Sequence, residues 1–146
     1  MIARSERTEQ QLLHASCVSL SGRGVLITGA SGSGKSGLAL QLMAFGAQLV
    51  SDDQTLLTVR DEKLIAVCPE TIRGQVEARG IGILNAQAVE STQVVLSIDL
   101  NRRETDRLPQ PHEMRLLGQN VPLYYKVNAP HFAAGIMQFL RLGRGA

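Results

Sequence analysis

Aromatic side chains are scarce in this chain of 146 residues: there is no tryptophan, and only two tyrosines and three phenylalanines. A groove that stacks unpaired bases on aromatic faces is therefore hard to build from it. Excess charge is scarce too. The formal net charge is +2 and the basic residues are scattered, so the sequence carries no electrostatic footprint for nucleic acid. A weak basic surplus is compatible with a polyphosphate or an acidic protein partner. Cysteine is limited to Cys17 and Cys68, which have no metal-ligand spacing and no secreted disulfide pattern; both read as reduced core thiols in apolar surroundings. No apolar run approaches the roughly 18 residues that a membrane span requires. Residues 1–10 are polar and charged with no apolar stretch behind them, which does not read as a signal peptide, so the expected compartment is the cytoplasm.

What is present is a globular composition, 44% hydrophobic against 19% charged, at a length that fits one core. Residues 1–11 read as a polar arm and 12–146 as the folded unit. The segment from His14 to Leu20 has strand character, Ser21-Gly22-Arg23-Gly24 reads as a turn, and Val25 to Thr28 as a second strand. A helix is expected from about Lys35 to Phe45, with Leu38, Leu42 and Phe45 on one face and Gly46 as a stop. Ala47 to Ser51 reads as a strand ending at Asp52-Asp53. Residues 55–59 and 64–67 flank a polar tetrapeptide and predict a hairpin. Val94 to Leu100 is the strongest buried-strand signal, the charged stretch 101–115 with its two prolines predicts a surface loop, and Pro130 is well placed to open a last helix over 130–142. Strands that alternate with helices, with hairpins inserted, predict an α/β fold with a mixed sheet and a leading hairpin.

The residues Gly29, Ala30, Ser31, Gly32, Ser33, Gly34, Lys35 and Ser36 spell a phosphate-binding loop, placed after a strand and before a helix. Its glycines let backbone N–H groups wrap phosphate oxygens, and the helix start adds partial positive charge. Lys35 reaches the β/γ oxygens and the Ser36 hydroxyl ligates Mg²⁺ in such loops. Folding the preceding hairpin about Gly22 and Arg23 pairs residue 14 with about residue 31, which brings His14 beside the loop. Asp52 and Asp53 end a predicted strand, where α/β sheets gather their ligands. One carboxylate can hold the metal and the other can take a proton from an attacking hydroxyl. Asp99, at the end of the buried strand, competes for the metal role. Glu77 lies in a charged pair that leads into a glycine-punctuated apolar run, where a backbone can approach a ligand closely.

His14, the loop, Leu49-Val50-Ser51-Asp52-Asp53, and Glu77-Ala78-Arg79-Gly80-Ile81-Gly82-Ile83-Leu84 follow one another in an order and spacing that resemble the HPr kinase/phosphorylases, over about residues 12–90. The resemblance is to the short form that consists of the catalytic domain alone. It implies a fold similar to phosphoenolpyruvate carboxykinase, and an ATP- and Mg²⁺-dependent kinase that phosphorylates a serine of the phosphocarrier HPr. Reversal with inorganic phosphate is common in the family. The resemblance implies Asp53 as proton acceptor with Lys35 and His14 as companions, Ser36 and Glu77 as magnesium ligands with Asp52 beside them, and a homo-oligomer, a hexamer in the family. The loop departs from the family in having Ala30 where aspartate is frequent and Gly37 where glutamate is. His131 falls roughly where the family has a catalytic arginine, which leaves the phosphorolytic direction open. Two other readings stand beside this one. A small-metabolite kinase would need a lid, which Arg102, Arg103 and Arg107 mimic but Pro109 and Pro111 interrupt. A nucleotide-sensing regulator would bind ATP and a partner and transfer nothing.

Overall fold

The computed structural model describes residues 9–146. Among these residues, a nine-stranded sheet carries two helices on one face, and a separate two-stranded hairpin stands beside it. In chain order the strands are β1 (Gln10–Leu13), β2 (Ala15–Leu20), β3 (Arg23–Thr28), β4 (Gln48–Ser51), β5 (Thr55–Arg60), β6 (Lys63–Val67), β7 (Gln75–Ala78), β8 (Gly82–Asn85), β9 (Ser91–Arg103), β10 (His112–Leu116) and β11 (Gln119–Lys126). The helices are α1 (Lys35–Ala44) and α2 (Phe132–Leu142). The sheet order is β1-β5-β6-β9-β3-β2-β4, with β11 and then β10 branching from β9. The fold is thus mixed α/β with a mixed sheet, as the alternation of elements predicts.

β9 is the spine. Its first residues pair antiparallel with β6, its later ones pair parallel with β11, and its other edge pairs parallel with β3. A register slip between Gly24/Val94 and Val25/Leu96 puts an extra residue, Val95, into β9. Since side chains alternate along a strand, one extra residue changes the face that the later ones present. Val94 accordingly packs with Cys17, Leu26, Leu57 and Leu64, whereas Leu96 and Ile98 pack with Val25, Ile27, Leu42, Ile136 and Leu140 under the helices. The bulge needs Gly24: a Cβ there would meet the Thr92 side chain and lie 2.9 Å from the Gln93 carbonyl oxygen. Cys17 is fully buried in this core, and burial pushes its thiol well above the ordinary cysteine value, so it stays protonated and inert.

Three expectations change. Residues 1–8 lie outside the described residues, but Gln10 and Gln11, assigned to the polar arm, are in β1 and pair with Thr58 and Leu57. The alternating exposure of β1 hides this edge strand from a search for apolar runs. The stretch 101–115 is only in part a loop. β9 runs on to Arg103, and His112–Leu116 forms β10, which pairs with β11; polar side chains here face solvent from a sheet edge. The β2–β3 turn is centred one residue earlier than expected, on Ser21-Gly22 with φ of 52° and 80°, so Ala15 pairs with Thr28. Both central residues have positive φ, the primed turn that matches strand twist.

Candidate functional site

The loop between β3 and α1 is shaped by three left-handed or extended glycines, Gly29, Gly32 and Gly34, with φ of 149°, 82° and 104°. A side chain on Gly29 would strike the Ser33 hydroxymethyl group and approach Leu100 to 3.2 Å, so this position demands glycine sterically. Helix α1 starts at Lys35 with Gly34 as its N-cap, with no side-chain cap and no acidic residue in its first turn. Its first N–H groups are therefore left for an external anion.

Lys35 is only 5% exposed, because its side chain turns back over the loop. Its Nζ donates to the carbonyl oxygens of Gly29 (3.0 Å) and Ala30 (3.2 Å) and lies 3.2 Å from His14 Nε2. An ammonium can only donate, so Nε2 accepts and the imidazole proton is on Nδ1. That nitrogen faces Asp53 Oδ1 at 3.5 Å. Asp53, His14 and Lys35 thus stand in a row, with His14 between the carboxylate and the ammonium. His14 Nε2 is also 3.4 Å from the Ser31 hydroxyl. His14 reaches these groups from the bend between β1 and β2, although the corrected register aligns it with residue 29 rather than 31.

The two aspartates point to different partners because the strand ends at Ser51 and Asp53 takes a positive φ of 68°. Asp52 is 8% exposed and turns inward. Its Oδ1 accepts from the hydroxyls of Ser16 (2.8 Å) and Ser36 (2.7 Å), and its Oδ2 accepts from the Glu77 N–H (3.0 Å). The Asp53 side chain is 60% exposed, while its N–H donates to Ser16 Oγ at 3.1 Å. The inner carboxylate is fixed by three donors and the outer one is open to an incoming group.

These groups line one cleft of about 450 Å³, with Ser31, Lys35, Ser36, Asp52, Asp53, Glu77 and Arg79 on its walls. The β7–β8 hairpin supplies Glu77 and Arg79, and the Asp52 carboxylate ties β7 to β4 through the Glu77 N–H. Ser36 hydroxyl, Asp52 and Glu77 offer hard oxygen donors of the kind that magnesium takes together with phosphate oxygens and water. Among the described residues no three acidic, histidine or cysteine side chains are grouped closely enough to hold a metal alone.

Two expected groups lie elsewhere. Asp99 does not line the cleft; its Oδ1 accepts the Asn101 N–H at 2.8 Å. His131 is the N-cap of α2 and lines a second cleft on the far side of β9. Two residues escaped the sequence reading. Ser16 bridges the two aspartates, and Asn101 Oδ1 accepts the Ala30 N–H at 2.9 Å, which pins the phosphate loop to the end of β9. Ser16 carried a signal, a hydroxyl inside a buried strand two residues after His14. Asn101 carried none, since it stands among charged residues that read as a loop.

A sequence profile for the HPr Serine kinase C-terminal domain matches residues 5–127. An HPr kinase/phosphorylase of Limosilactobacillus reuteri (strain DSM 20016) is 41% identical over 88 residues, which is 60% of this chain and 28% of that protein. One from Xanthomonas campestris pv. campestris (strain B100) is 38% identical over 116 residues, 74% of this chain and 36% of that protein. The chain therefore spans about a third of the length of these curated relatives. Among solved structures, that of the HPr(Ser) kinase/phosphatase from Coxiella burnetii superposes with a TM-score of 0.76 at 30% identity, over 90% of this chain and 88% of that chain.

Proposed function

The chain belongs to the HPr serine kinase C-terminal domain family, and on that premise we propose that it transfers the γ-phosphoryl group of ATP to a serine hydroxyl of an HPr-type phosphocarrier. The observation that carries this reading is the pairing, in one cleft, of a phosphate loop with an exposed aspartate held by His14. A protein serine must reach its base from solvent, and Asp53 is the one of the two adjacent aspartates that solvent reaches.

In this reading the loop N–H groups and the start of α1 bind the phosphates. Lys35 exchanges the Gly29 and Ala30 carbonyls for phosphate oxygens. Ser36, Asp52 and Glu77 would hold Mg²⁺, which supplies neutralisation of the phosphate charge when bound. Asp53 accepts the proton of the substrate serine as its oxygen forms a bond to the γ-phosphorus. The bond from that phosphorus to the β–γ bridging oxygen breaks, and ADP leaves. His14 holds the Asp53 carboxylate in place through Nδ1. His131, across β9, has no part in this scheme. No helix among the described residues is long and apolar enough to cross a membrane, and the reading places the protein in the cytoplasm with HPr, as a homo-oligomer like its family.

Incubation with γ-labelled ATP, Mg²⁺ and HPr from the same organism tests the proposal. Label on serine, absent from an HPr serine-to-alanine variant, supports it, and added inorganic phosphate then tests reversal. Absence of label with nucleotide binding intact overturns it in favour of a sensor.

A further inference from the structure

The second cleft encloses about 530 Å³ between β9, β11 and one side of α2, under a roof formed by residues 104–109. It shares no lining residue with the phosphate cleft. The chain has only two tyrosines and three phenylalanines. Tyr124, Tyr125, Phe132 and Phe139 all line this cleft, and Phe45 alone lies elsewhere. A chain so poor in aromatics has gathered four of its five on the walls of one void, where Tyr124, Phe132 and Phe139 also pack against the core.

Gly135 adds an independent observation. It lies inside α2 and lines the cleft. Its backbone is not left-handed, and a Cβ built on it meets nothing within 4 Å. Glycine weakens a helix interior, so a position that needs neither positive φ nor close approach would ordinarily favour alanine. What its bare Cα provides is an open wall. The roof is tied down from one side: Arg144 donates to the Pro109 carbonyl (2.7 Å) and the Tyr124 hydroxyl (3.1 Å). Inside, Tyr124 and Phe139 meet edge to face with centroids 5.5 Å apart, an arrangement that leaves ring surface for a third ring. The volume falls in the range of about 300–1,000 Å³ typical of small-molecule sites. The charged side chains of the lining balance in number, Glu104 and Asp106 against Arg107 and Arg144, so net charge does not select what enters; Glu104 Oε1 is buried with no hydrogen-bond partner among the described residues.

We propose that this cleft binds a small molecule with a planar aromatic body, at a site separate from the phosphate loop. The inference does not depend on the kinase reading. β9 connects the two sites, because Leu96 and Ile98 form the cleft floor while Asn101 of the same strand holds Ala30.

The test is titration of the full chain with 2-naphthol, followed by calorimetry and by amide chemical shifts. Saturable one-to-one binding with a Kd on the order of 0.1–1 mM is expected, with the shifts confined to α2, β9, β11 and residues 104–109. Cyclohexanol, of similar polarity but not flat, is expected to bind at least about fivefold more weakly. Gly135→Leu fills the void and is expected to weaken binding at least about tenfold while raising the melting temperature. Tyr125→Ala, which removes a wall instead, gives the same loss of binding by an independent route. Four outcomes would each overturn the proposal: no saturation up to the solubility limit, equal affinity in both variants, displacement of the probe by saturating MgADP, or a probe-induced change in sedimenting mass. Displacement would make the cleft the base end of the nucleotide site, and a mass change would make it a protein interface.

Discussion

The two clefts flank the end of β9 and are built on opposite principles. The phosphate cleft is made of hydrogen bonds: Asp52 accepts three, Lys35 donates to two carbonyls, and Ser16 serves both aspartates. The second cleft is made of rings and a missing side chain. A polar constellation must be positioned before its substrate arrives, since an unpaired charge in a half-buried site is costly. An apolar void needs only walls that resist collapse. Substitutions should therefore act differently in the two places, through chemistry and buried polar bonds in the first and through volume and helix propensity in the second.

The largest expected effect separates the two aspartates. Asp53→Asn removes a proton acceptor but keeps a residue that tolerates positive φ, so the backbone survives. The labelled-phosphate assay should show transfer lowered by about 10²–10⁴-fold, with nucleotide affinity and melting temperature nearly unchanged. Asp52→Ala should act on the fold as well as on the metal site that it helps to form. It strands the Ser16 and Ser36 hydroxyls and the Glu77 N–H, and a loss of about 2–3 kcal/mol is expected in urea unfolding. Equal loss of stability in the two variants would break the distinction between an inner structural carboxylate and an outer reactive one.

This distinction was only half legible in the sequence. The phosphate loop announces itself by glycine spacing, and its place after β3 and before α1 follows from the apolar run on one side and helical periodicity on the other. The sequence also says that Asp52 and Asp53 end a strand. It does not say which turns inward, because that depends on a left-handed residue and on Ser16 across the sheet. The segment 101–127 was harder still. β10 is a half-exposed edge strand whose burial alternates, β11 lies between it and β9 with most of its side chains only partly buried, and Pro109 and Pro111 just before β10 mimic a loop. The second cleft is a tertiary void, and a scarcity of aromatics gives no hint that four of them converge.

Gly135→Ala sharpens the other side of the comparison with a smaller effect. It restores helix propensity without filling the void, so it should add about 0.5–1 kcal/mol. A melting temperature raised by a few degrees, with 2-naphthol affinity kept, would separate the cost of the glycine from its role as a wall. Loss of probe affinity on so small a change would instead mean that the ring lies directly against this Cα.

The smallest effect comes from a part that belongs to neither cleft. Two hairpins use the same kind of turn: β2–β3 closes on Ser21-Gly22, with φ of 52° and 80°, and β5–β6 closes on Asp61-Glu62, with φ of 52° and 61°. The first has glycine at its second central position and the second has glutamate, a residue for which left-handed backbone costs about 1 kcal/mol. Glu62→Gly removes that strain but adds freedom to the unfolded chain, which returns part of the gain. The net expectation is about 0.5 kcal/mol of stabilisation, a rise of one or two degrees in a thermal melt, with phosphate transfer and probe binding both unaltered. The opposite substitution, Gly22→Glu, should lower the melting temperature by a similar amount, since a side chain there meets open space and only the backbone is strained. If the two changes fail to mirror each other, the Asp61-Glu62 turn owes its conformation to β5–β6 pairing rather than to its own residues.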